Sequence, residues 1–245
     1  MKNLSQTIAL AATLAALTPA AHADLVFAAQ DIAGPTFVQR FDVVDADLMD
    51  TAQPRMQIGT SLGLDIGVRA QDGQLQIGSN SGVWSLGDNG EWTDTTDPLT
   101  ATDSTFLALD GVVDYDAGTF ATLSFDFGGR TVQGVGAFMS YDPAFSHLGT
   151  PIQLYLAAYD LAGNLIEEHT VPFAAVIDSD GLVMPNQGVF YGIQTPAAQI
   201  ARFDISAPYA VVDNLTVTSP VPEPATWALV LTGLLATAGL RRARR

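Results

Sequence analysis

The side chains able to do chemistry are few and widely spaced. Gly59-Thr60-Ser61-Leu62-Gly63 has the G-x-S-x-G spacing of a nucleophile elbow, in which a serine sits on a sharp turn between a strand and a helix. The residues that follow, Leu64-Asp65-Ile66-Gly67-Val68, continue as a strand and Asp72-Gly73 turns it back, so Ser61 is expected in a β-turn. Any Ser-His-Asp triad would need His147 or His169, the histidines beyond residue 22, and two histidines exclude a histidine-rich metal site. His169 shares strand parity with Leu165, Glu167 and Val171, and a structural or exposed role is expected for both histidines. Glu167 and Glu168 are neighbours that point to opposite faces of a strand, a poor acid-base pair. Asp178-Ser179-Asp180-Gly181 alternates acids but lacks the remaining EF-hand ligands and reads as a turn. No catalytic residue is assigned. Asp213 is the acid of most interest, because the parity of Val211, Leu215 and Val217 directs it inward, where a carboxylate needs a partner. Arg202, a solvated strand end and a structural calcium are the alternatives, and no other cofactor is expected.

The elements that must hold these residues are strands. Helix-period stretches are scarce and period-two stretches abound, which predicts a mainly β fold. Residues 119–127 are the clearest case, with Ala121, Leu123, Phe125 and Phe127 alternating against Thr122, Ser124 and Asp126. Further strands are predicted over 36–44, 64–68, 75–78, 131–139, 152–159, 165–173, 189–193, 199–205 and 210–218. Asp72-Gly73, Asn89-Gly90, Asp110-Gly111, Gly163-Asn164 and Asp180-Gly181 supply the positive φ of tight turns between them. Short strands at this spacing point to a single β-sandwich or jelly roll over 24–219, with 88–103 as its longest loop.

The chain has no cysteine, so its stability must come from packing, with or without a metal. Of its basic residues, Lys2 lies at the start and Arg241, Arg242, Arg244 and Arg245 at the end. Only Arg40, Arg55, Arg69, Arg130 and Arg202 lie between, so the body is more acidic than the whole-chain net charge of -16. Nucleic acid and anionic membrane surfaces are poor partners for such a body; acidity of this kind keeps an extracellular protein soluble or binds divalent cations.

The two ends are more specific. Met1-Lys2, an apolar run over 8–17, the Thr18-Pro19 break and the small-x-small pattern of Ala21-His22-Ala23 form a signal peptide over 1–23, with signal peptidase expected to cut before Asp24. At the far end, Pro222-Glu223-Pro224 precedes an apolar stretch over 227–240 and the arginine cluster. Prolines hold the motif extended and accessible. Trp227 suits the outer interface, and the arginines favour the cytoplasmic side, which sets the ectodomain outside. Residues 227–240 read as a transmembrane helix, but at ~1.5 Å per residue they span roughly 21 Å against a hydrocarbon core of ~30 Å, which suits a temporary anchor.

This order of motif, apolar helix and basic cluster over 220–245 resembles the PEP-CTERM sorting signal, recognised by an exosortase, an integral-membrane enzyme of Gram-negative bacteria. The resemblance implies that Pro222, Glu223 and Pro224 are the recognition motif and that Arg241, Arg242, Arg244 and Arg245 are the stop-transfer element. It also implies transient residence in the inner membrane, delivery to the cell surface or matrix, and a host that makes exopolysaccharide. Residues 131–139, 152–159, 188–193 and the final Val-Val-Asp-Asn-Leu-Thr-Val resemble β-sandwich domains found ahead of such tails and, more loosely, galactose-binding-like jelly rolls. In the latter a late aspartate helps hold calcium, which would be the role of Asp213. The function expected is that of an exported, non-catalytic surface or matrix protein associated with exopolysaccharide. The rival is a carbohydrate-binding or polysaccharide-degrading protein using Trp84, Trp92, Tyr141 or Tyr191 as sugar platforms.

Overall fold

In the computed structural model, which describes residues 23–41, 55–61, 63–79, 105–110, 112–114, 119–141, 153–172, 189–197, 199–207 and 210–218, the alternating segments form strands. In chain order these begin with β1 (Asp24–Val26), β2 (Thr36–Gln39), β3 (Met56–Ser61), β4 (Leu64–Gln71) and β5 (Gln74–Ser79). They continue with β6 (Thr105–Asp110), β7 (Val112–Asp114), β8 (Thr119–Phe120), β9 (Thr122–Asp126) and β10 (Gly134–Tyr141). The last are β11 (Gln153–Tyr159), β12 (Leu165–Pro172), β13 (Val189–Gln194), β14 (Arg202–Ser206) and β15 (Ala210–Thr218). No helix among the described residues is long and apolar enough to cross a membrane. Residues 1–22 of the predicted leader over 1–23 and the tail beyond Thr218 lie outside the described residues, as do Trp84, Trp92, His147 and the 178–181 turn.

Two antiparallel sheets carry the fold. Sheet A has the order β1-β13-β10-β15-β6-β5, and β2 continues the β6 edge of β15 toward its C-terminal end. Sheet B has the order β12-β11-β14-β9-β4-β3, and β7 pairs β8 separately. The inward faces share one core. Leu64, Ile66, Val68, Leu123, Phe125, Leu154, Leu156, Phe203 and Ile205 from sheet B meet Val135, Ala137, Met139, Ile193, Val212, Leu215 and Val217 from sheet A. This is a sandwich built by period-two burial, as in β9, where Leu123 and Phe125 are fully buried. Sheet A also buries part of its outer face, where Phe106, Ala108 and Val211 form one small cluster and Val26, Ile32 and Phe190 another, both packed on by Phe138.

That outer face corrects the reading of Asp213. The β10–β15 ladder shifts register between Gly136 and Phe138, and Asn214 there adopts φ 51, the left-handed conformation that asparagine tolerates. The bulge reverses the side-chain parity of β15. Ala210 and Val212 face the main core before it, Leu215 and Val217 after it, whereas Asp213 keeps the parity of Val211 and stands opposite Phe138 on the outer side. It is nonetheless buried, and its Oδ1 accepts a hydrogen bond from the Asn214 amide at 2.6 Å. Arg202 lies in sheet B and cannot be its partner.

Candidate functional site

Ser61 ends β3, and a tight hairpin through Gly63 (φ 79) leads straight into β4, so the strand-to-helix elbow does not form. His169 stands opposite Leu156 on the core side of edge strand β12, with Nε2 3.7 Å from Glu167 Oε1. Glu167 and Glu168 do diverge, one opposite Ala158 and the other opposite Ala157. Among the described residues no three His, Asp or Glu side chains are grouped to hold a metal. Tyr191 is buried against the core and contacts Phe27 edge-on, so it offers no sugar platform. Ala23 packs into the core and Asp24 opens β1, the first described strand; Ala21 lies outside the described residues.

The polar chemistry gathers instead on the outer face of sheet B. Cross-strand register aligns Tyr155, Ser206, Thr122 and Gln71 in one row, Ala157, Asp204, Ser124 and Arg69 in the next, and Tyr159, Arg202, Asp126 and Gly67 in a third. Arg55 reaches over the third row. Its Nε lies 2.9 and 2.8 Å from the Asp126 carboxylate oxygens, and Nη2 donates to the Asp65 carbonyl at 3.0 Å. Gly67 makes room for it, since a Cβ there would lie 2.2 Å from the Arg55 guanidinium carbon. At the other end of the row the Arg202 guanidinium lies 3.8 Å above the Tyr159 ring. The Tyr155 hydroxyl donates to Glu168, and Gln71 donates to the Ser124 hydroxyl at 3.0 Å.

The two central carboxylates are poised in opposite directions. Burial pushes Asp126 up, but the Arg55 hydrogen bond, the Gly128 amide and the charges of Arg55 and Arg69 outweigh it, so its pKa lies below the ordinary value. For Asp204 burial wins over Ser124, Arg202 and Arg69, and the pKa is raised. Arg202 Nε is 3.1 Å from Asp204 Oδ1, yet the contact is out of hydrogen-bond alignment, and both atoms, like Arg69 Nε, are buried without a hydrogen-bond partner among the described residues.

These environments set a stability prediction. A lowered carboxylate pKa stabilises the fold above the unfolded carboxylate range, and that contribution is lost as pH falls through the folded pKa. Asp126→Asn should therefore cost about 1–2 kcal/mol at neutral pH, allowing for partial exposure, with the difference shrinking in acid. Asp204→Asn should cost nothing at neutral pH or stabilise, because the ionised form of a raised acid is the unfavourable one. Gly67→Ala should match the Asp126→Asn loss by displacing Arg55, and the double variant should add little. Urea titrations at neutral and acidic pH check all three; fully additive losses would contradict the Arg55 linkage.

Beyond the last described strand, residues 220–245 match the PEP-CTERM protein-sorting motif. The chain is thus a mainly β sandwich followed by a sorting tail. That motif marks an exported protein with a membrane-anchored precursor and an exosortase as processing partner. No curated protein matches the chain. Among solved structures it is similar to a DUF4465 family protein from Bacteroides caccae, at 12% identity over 74% of this chain and 98% of that one, TM-score 0.39. It is also similar to GH31 CBM32-2 bound to GalNAc (13% identity, 63% and 97% coverage, TM-score 0.33) and to the K2 cleaved adhesin domain of Lys-gingipain (12%, 75% and 99%, TM-score 0.38). Superpositions this loose assign no ligand.

Proposed function

We propose that this is a non-catalytic surface or matrix protein of a Gram-negative bacterium, exported after signal-peptidase cleavage, anchored in the inner membrane, processed by an exosortase and then associated with exopolysaccharide. The match of residues 220–245 to the sorting motif carries the reading of export and processing. The outer face of sheet B supports the glycan step. Tyrosine rings and guanidinium groups side by side can satisfy the hydroxyls and carboxylates of a polysaccharide, whereas the apolar outer clusters of sheet A cannot.

The test is binding of the surface-extracted protein to the host exopolysaccharide and to a glycan array. Tyr155→Ala and Arg202→Ala are each expected to weaken binding about tenfold, equivalent to ~1.4 kcal/mol. Asp31→Ala, exposed in the turn after β1 on the sheet A side, is expected to leave it unchanged. Retained binding in both site variants would remove this face from the reading, and turnover of the glycan would replace it with the degrading-enzyme alternative.

A further inference from the structure

Asp204 is an acid that the sandwich does not need for its stability. It stands on the outer face of β14, inside sheet B, between Ala157 of β11 and Ser124 of β9. Its side chain is only 8% exposed. A carboxylate so placed costs stability unless its charge is fully met, and here it is not. Burial outweighs the help of Ser124, Arg202 and Arg69, and the pKa stays above the ordinary value. A neutral isostere would serve the fold as well, and acids kept under such conditions concentrate at working sites.

The group it can act through is Arg202. Two residues apart on one strand, both side chains lie on the same face. Arg202 Nε is 3.1 Å from Asp204 Oδ1, and the guanidinium carbon is 3.8 Å from the centre of the Tyr159 ring. The guanidinium therefore sits between a ring and a carboxylate. It is also the partner that reaches solvent, with a side chain 27% exposed. Nε and Oδ1 are both buried without a hydrogen-bond partner among the described residues. A rotation of the guanidinium that aligns Nε–H with Oδ1 would satisfy both atoms at once. Because the guanidinium is a rigid planar fork, the same rotation sets the direction of its outer Nη donors.

We propose that Asp204 is a positioning residue of the glycan face: it does not touch the ligand, but its carboxylate locks the Arg202 guanidinium against Tyr159 and aims the Nη donors at the polysaccharide. The inference rests on the glycan reading of the proposed function. When Asp204 takes up a proton the lock is lost and the ring alone holds Arg202. Affinity is then full above the folded pKa of Asp204 and declines as pH falls through it. The other charged groups nearby are already engaged or face elsewhere. Arg69, at the far end of the row on β4, stays cationic throughout. Asp126, diagonal on β9, is held by Arg55 below the ordinary carboxylate value. On β11 Tyr155 donates to Glu168 of β12 and its pKa is raised, and Tyr159 lies under Arg202. Glu167 and His169 stand opposite Ala158 and Leu156, which belong to the core.

The test uses surface-extracted protein, exopolysaccharide purified from the host, and the variant Asp204→Asn, which should unfold in urea no earlier than the unaltered chain. Affinity of the unaltered protein should fall about fivefold or more between about pH 7 and about pH 4. Asp204→Asn should bind about fivefold or more weakly at about pH 7 and show no such decline. A merely structural acid would give neither result. If Asp204→Asn binds like the unaltered protein and keeps the same decline, the positioning role is overturned while the glycan reading stands. If the unaltered protein binds no glycan at any pH, the glycan reading falls and this role with it. Should Asp204→Asn fail to fold, the Arg202 Nε–H resonance of isotope-labelled unaltered protein decides. A shift of that resonance as pH falls over the same range supports the lock, and a constant position overturns it.

Discussion

Replacing Phe125 with alanine is expected to cost the sandwich about 3–5 kcal/mol, a large share of the ~5–15 kcal/mol that holds a typical domain. The side chain is fully buried on β9, a central strand of sheet B, and its cross-strand partners Val68 and Phe203 are buried in the same core. Both neighbours are fixed in ladders of their own, so the space left by the ring cannot close by a local shift. Phe125→Leu, which keeps much of the volume, should lose less than half as much. Thr170→Ala on the exposed side of edge strand β12 should stay within ~0.5 kcal/mol. Equilibrium urea unfolding with a common m-value measures all three, and a Phe125→Ala loss under ~1 kcal/mol would contradict the shared core.

The same strand shows why some of the fold was legible and some was not. β9 has one dry face and one polar face, so its alternation survives in the sequence. β6 has Leu107 and Leu109 in the main core and Phe106 and Ala108 in the outer cluster, and burial on both sides erased the period that would have announced it. β3 was hidden by Gly59 and by the register shift beside it, so its residues read as a motif rather than a strand. The bounds of β15 were readable at 210–218, yet the inward direction of Asp213 was not. One left-handed residue at Asn214 reverses parity, and the only local sign of it is an Asp-Asn pair inside an apolar run. The arginine and tyrosine face depends on β3, β4, β9, β14 and β11 lying side by side, an order no local pattern specifies. A hint was present: Arg202, Tyr155 and Tyr159 are polar or amphipathic positions on predicted strands, and Arg202 and Tyr159 belong to one row.

The tail was legible because it needs no tertiary structure, and its removal should have the most complete effect of any change. Deleting Pro222-Glu223-Pro224 in a host with the sorting enzyme is expected to accumulate precursor in the inner membrane. The apolar stretch over 227–240 and the arginines would still hold the chain while the recognition ribbon was gone. Deleting Arg241 to Arg245 should act at an earlier step, by weakening retention before processing, so protein would escape with its motif intact. The two variants thus separate recognition from anchoring. In the unaltered chain, cleavage near the motif removes Trp227, the apolar stretch and the terminal arginines together, whereas a permanent anchor would leave them on the surface form. Thr218 is pinned at the end of β15, so cleavage near Pro222 would leave the sandwich whole and expose no core strand. Intact mass and C-terminal peptide mapping of surface-extracted protein decide the matter. A mature form ending near Pro222 to Pro224 is the expected result, and the full tail on most of that protein would overturn the cleavage step.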